Sequence, residues 1–307
     1  MKSSCANPCR QNPRFPSTNC FFAYNLVHMP SFTPHPNSWF ADDGWIEALK
    51  QQQVPVNAQL MATRVKGLRA WITPSWALDS HVEEGNLKAL CTTLEAARAP
   101  LIVCDLPPGL RGEWAPTWLV QERHTRWLRA DEATGAFPPM PKHRAKQARK
   151  GFDRGLQIEA EGNINILLKL HQLARERKSI ASDTSKLSGL LSWVLASEHQ
   201  STYIARNEED QCIASATFLH DPGRTIYAFG GQIRSDASGL ATVMLIEQGI
   251  ADAQAIGNSV FDFGGSSDPG VDRFYSEFGA EKYYRERAIR VSTWAKPWLK
   301  MVRSDLL

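Results

Sequence analysis

Between residues 163 and 291 the hydrophobic pattern changes period in an order that few folds accommodate. Leu167, Leu170, Leu173 and Ala174, then Leu187, Leu190, Leu191 and Val194, recur at helical spacing, predicting helices over 163–178 and 186–199. Three short strands follow, at 202–206, 211–219 and 225–230, separated by a polar turn at 207–210 and by Asp221-Pro222-Gly223. Leu240, Val243, Leu245, Ile246 and Ile250 cover much of a helix at 238–256. A strand at 259–263 runs into Gly264-Gly265, Pro269 suits the first turn of a short helix at 269–278, and a strand closes the series at 283–291. A three-strand meander followed by a strand–helix–strand crossover makes a mixed, mostly antiparallel sheet with helices on its faces, an α/β (α+β) arrangement.

Upstream, 123–128 and 156–161 read as strands, and 138–150 as a basic helix closed by Gly151. Residues 1–20 read as a loose tail, and 21–120 as a Trp- and Pro-rich α/β region. That region holds helices at 42–52 and 84–98, a buried strand at 101–106 and a turn at Pro107-Pro108-Gly109. A length of 307 residues suits two domains, placed at 21–120 and 121–307 after the tail.

The composition narrows the function classes. A net charge of +3 is too small to argue for DNA or another nucleic-acid partner, and no apolar run is long enough to span a bilayer. The first twenty residues lack an apolar signal core, so a cytoplasmic protein is expected. None of the six cysteines forms a Cys-x-x-Cys pair, and the eight histidines are scattered, so no metal site is expected. Cys104 and Cys212 lie in apolar, strand-like runs and read as buried, inert thiols.

Three stretches carry chemistry. In Arg234-Ser235-Asp236-Ala237-Ser238-Gly239-Leu240-Ala241, a glycine at a helix start brings backbone N–H groups and the positive end of the helix dipole toward an anion. Asp236 opposes that anion and Arg234 can compensate. In Asp272-Arg273-Phe274-Tyr275-Ser276-Glu277-Phe278-Gly279-Ala280, Tyr275 is a phenol able to give a proton to a leaving thiolate, or else a packing aromatic. Phe261-Asp262-Phe263-Gly264-Gly265-Ser266-Ser267-Asp268 joins a strand carboxylate to a loop that backbone or substrate can approach closely. Asp262 either takes up a proton or satisfies loop N–H groups, and Asp268 and Glu277 are further candidate bases.

The element order and these stretches resemble the GNAT acetyltransferases. The run from Phe261 to Ala280, with the basic helix Arg144-Ala145-Lys146-Gln147-Ala148-Arg149-Lys150-Gly151, looks like the signature of the FemAB-like proteins grouped with them. The resemblance covers about residues 121–291 and implies two GNAT-like lobes, the N-terminal one divergent. It implies acyl-CoA, acetyl-CoA or longer, as co-substrate, held by Gly230, Gly231, Arg234, Ser238, Gly239, Leu240 and Ala241. It gives Tyr275 the departing thiolate to protonate, and Asp262, for proton uptake or for binding the substrate amine, joins it as the other candidate catalytic residue. It leaves Arg144, Lys146, Arg149, Lys150, Ser266, Ser267, Asp268 and Arg273 to bind substrate. Asp236 in place of the family's Gln or Arg, and Ala280 in place of its closing Phe, are departures.

Three functions follow from this pattern. The first is N-acyl transfer from acyl-CoA to an amine of a small molecule or amino sugar. The second is a FemAB-type transfer from aminoacyl-tRNA to a cell-wall precursor, which the six Lys and Arg between Lys142 and Arg154 suit, although no coiled-coil arm is visible. The third is a binding protein that keeps the fold without catalysis, which Asp236 favours.

Overall fold

Alternating residues along the central strands point to opposite helix layers, and this sorts the core into two faces. On β7 (Gln200–Arg206), Tyr203 and Ala205 pack with one apolar cluster and Ile204 with another. The first cluster belongs to α5 (Asp236–Ala255), the second to α3 (Ile164–Glu176) and α4 (Thr184–Leu195). The computed structural model from which this architecture is read describes residues 52–53, 61–73, 84–176, 184–265, 268–303 and 306–307. The tail expected at 1–20 lies outside these, as do Ser266, Ser267 and all but the last residue of the helix expected over 42–52; that residue, Gln52, stands in a strand instead.

The described strands form one sheet of eleven. The first half supplies β1 (Gln52–Gln53), β2 (Met61–Val65), β3 (Leu68–Ile72), β4 (Leu101–Asp105) and β5 (Leu119–Arg129), with α1 (Glu84–Ala96) between β3 and β4. Then come α2 (Lys142–Asp153), β6 (Gln157–Ala160), α3, α4, β7, β8 (Cys212–Asp221), β9 (Arg224–Gln232) and α5. Next are β10 (Val260–Asp262), α6 (Pro269–Ser276), β11 (Glu281–Val291) and α7 (Lys296–Val302). The spatial order is β1-β2-β3-β4-β11-β5-β10-β9-β8-β7-β6. The pairs β3–β4 and β9–β10 are parallel and every other pair is antiparallel, the mixed and mostly antiparallel sheet that the sequence implies.

One strand stands where the local pattern does not put it. The crossover through α6 does not make β10 and β11 neighbours. β5 lies between them, antiparallel to both, with Val260↔Arg129 on one edge and Glu281↔Trp127 on the other. β11 also pairs along its far edge with β4, where Arg287 holds Asp105 through two hydrogen bonds of 2.6 and 2.7 Å. The sheet therefore runs on without a break past residue 120. At its first-half end, α1 covers Trp71, Ile102, Cys104 and Leu106, while α7 covers Leu68, Leu101, Val103 and Ile289 on the other face. Cys104 is buried as expected, whereas Cys212 is only half-buried; burial pushes both thiols above their ordinary values, which keeps them protonated.

Gly151 also departs from its expected role. It lies inside α2 and is buried, where a Cβ would come within 2.5 Å of Met244 Sδ on α5. The helix ends two residues after it, and Gly155, at φ +68°, makes the left-handed exit.

Gly231 decides how closely α3 approaches β9. A Cβ there would lie 2.5 Å from the Leu170 carbonyl carbon and 2.6 Å from the His171 nitrogen, both backbone atoms that cannot swing aside. Gly231→Ala should therefore destabilise the protein by about 1–3 kcal/mol. Gly239→Ala, whose Cβ meets nothing within 4 Å, should be neutral or stabilise by up to about 1 kcal/mol through helix propensity. Chemical denaturation of both variants checks the contrast; equal midpoints would remove the packing account of Gly231.

Candidate active site

β9 and β10 are neighbours only over Arg224–Ile226, paired with Val260, Phe261 and Asp262. Beyond Ile226 the two strands diverge. Asp262 ends β10 and is fully buried. Its carboxylate accepts from the N–H of Gly264 at 2.8 Å and from the hydroxyl of Thr125, and it lies 3.5 Å from Arg224 Nη1. Gly264 takes φ +70°, and Phe263 donates its N–H to the carbonyl of Arg126, so the chain leaves toward β5. On β9 the register steps from Thr217↔Phe229 to Phe218↔Tyr227, which makes Ala228 the extra residue of a β-bulge.

The fork opens into a cavity of about 460 Å³, within the usual range for a small-ligand site. β9 lines it with Tyr227, Gly230, Gly231 and Gln232, and α5 with Gly239 and Thr242. α6 adds Gly270, Phe274 and Tyr275, and α3 adds His171, Ala174 and Arg175. α3 and α5 belong to opposite faces of the sheet, so the cavity passes through the gap between the strands.

The phenol of Tyr275 is fixed by a ring stack. Its centroid is 5.1 Å from Phe263, 5.9 Å from Phe274 and 6.3 Å from Tyr227, the last edge-on. Burial, then Tyr227 and Asp262, push its hydroxyl well above the ordinary phenol value. Burial alone pushes Tyr227 up to about 12. Both hydroxyls are therefore hydrogen-bond donors throughout the working pH range.

α6 is anchored at both ends. Asp268 caps it by accepting from the N–H groups of Gly270 and Val271 at 2.9 and 3.3 Å. Asp272 receives two hydrogen bonds from Arg126 at 2.8 and 2.9 Å, lies 2.7 Å from His124 Nε2 and 3.5 Å from Lys282 Nζ. Arg144, on α2, stacks over Phe274 and Phe278 at 4.2 and 4.8 Å and donates to Glu277 at 2.7 Å.

Of the residues singled out in the sequence, Gly230, Gly231, Gly239 and Tyr275 meet in the cavity. Ser238 is buried and spends its hydroxyl in a capping box with Ser235. Leu240 packs toward Gly151, and Ala241 is buried in the core, while Arg234 is exposed. Asp262 sits at the fork rather than on the cavity wall. Arg144 is 3% exposed and engaged in packing, Asp268 in capping, and Arg273 is exposed and paired with Glu277 at 3.1 Å. Lys146, Arg149 and Lys150 lie exposed on α2, and Arg149 lines a separate groove between α2 and α5. His171, Arg175, Gln232 and Thr242 were not legible as site residues; the signal available was His171 and Arg175 four apart on one helix face. Among the described residues no cluster of His, Cys, Asp or Glu could hold a metal ion.

Arg126 and His124 hold the Asp272 carboxyl well below the usual carboxylate range. A depressed carboxyl contributes stability that is present above its unfolded value and is lost as the pH falls through and below it. The melting temperature of the wild type should thus drop from about pH 5 downward. Asp272→Asn should melt lower at pH 7 and lose part of that acid dependence; parallel melting curves for the two proteins would discount the anchor.

No family model matches the sequence, and no curated protein matches it. Solved structures do match. "Crystal structure of FemX" aligns at a TM-score of 0.59 and 12% identity, covering 89% of this chain and 96% of that one. The structure of L-PGS from Bacillus licheniformis aligns at 0.53 and 12%, covering 80% and 85%. The C-terminal domain of a putative lysylphosphatidylglycerol synthetase from Agrobacterium fabrum aligns at 0.52 and 13%, covering 81% and 84%. At such identities the likeness is one of fold. The chain has the GNAT-like, FemAB-like fold that the motifs of its second half imply.

Proposed function

We propose that this protein is an N-acyltransferase that moves an acyl group from an acyl-CoA, acetyl-CoA or longer, to an amine of a small molecule or amino sugar. The observation that supports this reading is the unpaired edge of β9 beyond Ile226, bulged at Ala228 and faced by the phenol of Tyr275. An extended, amide-bearing arm such as pantetheine adds to such an edge as a strand would. A bulge leaves a backbone N–H outside the ladder, suited to an oxyanion at the acyl carbon. Gly239 leaves open space where the donor passes α5. On this reading residues 121–307 form the acyltransferase lobe and 21–120 a divergent partner lobe.

Tyr275 serves the leaving sulfur. Its hydroxyl stands well above the ordinary thiol value near 8.5, so complete proton transfer to a thiolate is uphill. Its contribution is a hydrogen bond that strengthens as negative charge gathers on sulfur.

One observation favours a second reading, transfer from aminoacyl-tRNA to a cell-wall precursor. The capping box at the start of α5 already engages the N–H groups of Ser235 and Ser238, and the Asp236 carboxylate lies in the first turn. That leaves a diphosphate the N–H groups of Asp236 and Ala237, next to a negative charge. The exposed Lys146, Arg149 and Lys150 suit a polyphosphate backbone.

Thermal melting separates the two. Saturating acetyl-CoA or a longer acyl-CoA should raise the melting temperature by several degrees, on the order of 2–3 kcal/mol at 100 times Kd. Absence of any shift, together with protection by charged tRNA, selects the second reading. For the transfer itself, Tyr275→Phe should lower kcat about 10²-fold with little change in melting temperature or in acyl-CoA affinity. Undiminished turnover in that variant would remove Tyr275 from the chemistry.

A further inference from the structure

An amine must lose a proton as it attacks an acyl carbon, and the described carboxylates of the motif stretches are not placed to take it. Asp262 is locked at the fork, Asp268 caps α6, and Glu277 pairs with Arg144. The described residues lining the cavity include no Asp or Glu. Their titratable side chains are His171, Arg175, Tyr227 and Tyr275. Arginine stays protonated, and both phenols do too, because burial raises them. His171 alone among these can accept a proton near neutrality.

Its surroundings fit the task. The backbone of His171 rests on Gly231, so the ring enters the cavity beside the bulged strand. Nδ1 is buried without a hydrogen-bond partner, which leaves Nε2 as the nitrogen open to the cavity. Leaving that buried nitrogen without a partner is unfavourable for the fold, which suits a group kept for a ligand. Burial first, then Arg175 four residues on, lower its pKa and keep the ring neutral. Around it β9 brings Tyr227, α6 brings Tyr275, and α5 brings only Gly239 and Thr242 to the cavity. Residues 187–195 of α4 carry no titratable side chain, and β8 turns Cys212 to that side.

We infer that His171 is the base of the transfer, accepting on Nε2 the proton of an amine that enters from the α3 face. The inference rests on the acyl-transfer reading. The amine nitrogen bonds to the acyl carbon, and the C–S bond breaks with its electron pair left on sulfur. The proton passes from nitrogen to His171 and then, through solvent, to the thiolate, which returns the imidazole to its neutral form. The acceptor is thereby a primary or secondary amine delivered opposite the donor, with Arg175 beside it.

Two measurements on the full chain test this. In the first, acetyl-CoA is the probe and histidine ring resonances are the readout, with His171 identified by its loss in His171→Asn. The His171 ring should titrate below the ordinary histidine value and should shift when acetyl-CoA saturates. His171→Asn should keep both its melting temperature and its acetyl-CoA-induced stabilisation. A ring unmoved by acetyl-CoA that demonstrably binds, or one titrating at the ordinary value or above, overturns the inference and leaves acyl transfer standing. No stabilisation of the wild type by acetyl-CoA or a longer acyl-CoA is instead a failure of the donor reading, and the inference falls with it. In the second, kcat is followed against pH with an amine drawn from a panel of small amines and amino sugars. Below the His171 pKa the wild-type rate should fall tenfold per pH unit. His171→Asn and His171→Gln should lose about 10²-fold at neutral pH, keep KM for acetyl-CoA, and lack that acid limb. An acid limb retained in both variants assigns the proton to another group.

Discussion

The buried carboxylate of Asp262 sets where two strands part, and the rest of the site follows from that parting. Up to Asp262, β9 and β10 share a ladder; after it the chain turns through Gly264 toward β5. The turn holds because Asp262 satisfies the N–H of Gly264 and the hydroxyl of Thr125 while facing Arg224 across the last paired residues. A fully buried anion survives only with such partners, since removing one from a buried pair costs about 3–5 kcal/mol. The fork is therefore a fixed feature and not a frayed end. Its position decides that the unpaired stretch of β9 begins at Tyr227, one residue before the bulge.

Holding Tyr275 over that edge needs a short helix that does not roll. An isolated helix of eight residues is not stable in water, so α6 takes its order from its surroundings. Three elements pin it: β5 through Arg126 and His124, β11 through Lys282, and α2 through Arg144. Arg144 acts twice, as an ion-pair partner and as a flat surface under Phe274 and Phe278. The basic helix in the sequence is thus divided by burial. Arg144 faces inward and is structural, while Lys146, Arg149 and Lys150 remain outside.

How much of this was legible in the sequence depends on how local each signal is. The meander, the long helix and the Pro269 helix carry their own periodicity and turn residues, and the strands and helices stand within a few residues of expectation. The FemAB-like and GNAT-like motifs carried the fold, and Gly239 and Tyr275 from two of them line one cavity. The insertion of β5 between β10 and β11 was not legible, because residues 119–129 pair with partners more than a hundred positions away and nothing in their own pattern names those partners. The β2–β3 hairpin was also missed, although Lys66-Gly67, both at positive φ, is a tight-turn pair. For single side chains the limit is sharper. Asp262, Asp268 and Arg144 are polar residues in a motif-rich stretch, and only burial and partners separate structural from reactive roles. His171 gave the opposite problem: a lone histidine on an apolar helix looks like any core residue until β9 and α6 close around it.

Under the proposed reaction, the gap between β9 and β10 decides how two substrates meet. A site built on one face of a closed sheet would make donor and acceptor compete for the same entrance. Here α5 and α6 wall one side and α3 the other, with the strand edge between them. Under the proposed reaction the donor lies along the edge from the α5 side and the amine comes from the α3 side, so the reacting atoms meet within the thickness of one strand. The donor's determinants then fall in residues 227–242 and those of the acceptor in α3 around residues 171–175, two stretches separated by a helix and two strands. Acceptor preference can therefore change through α3 while the donor groove, fixed by Asp262 and by the backbone of β9, stays as it is. Gly231 is the point where the two determinants touch, since α3 rests directly on it, and any side chain there would push the acceptor wall away from the donor edge.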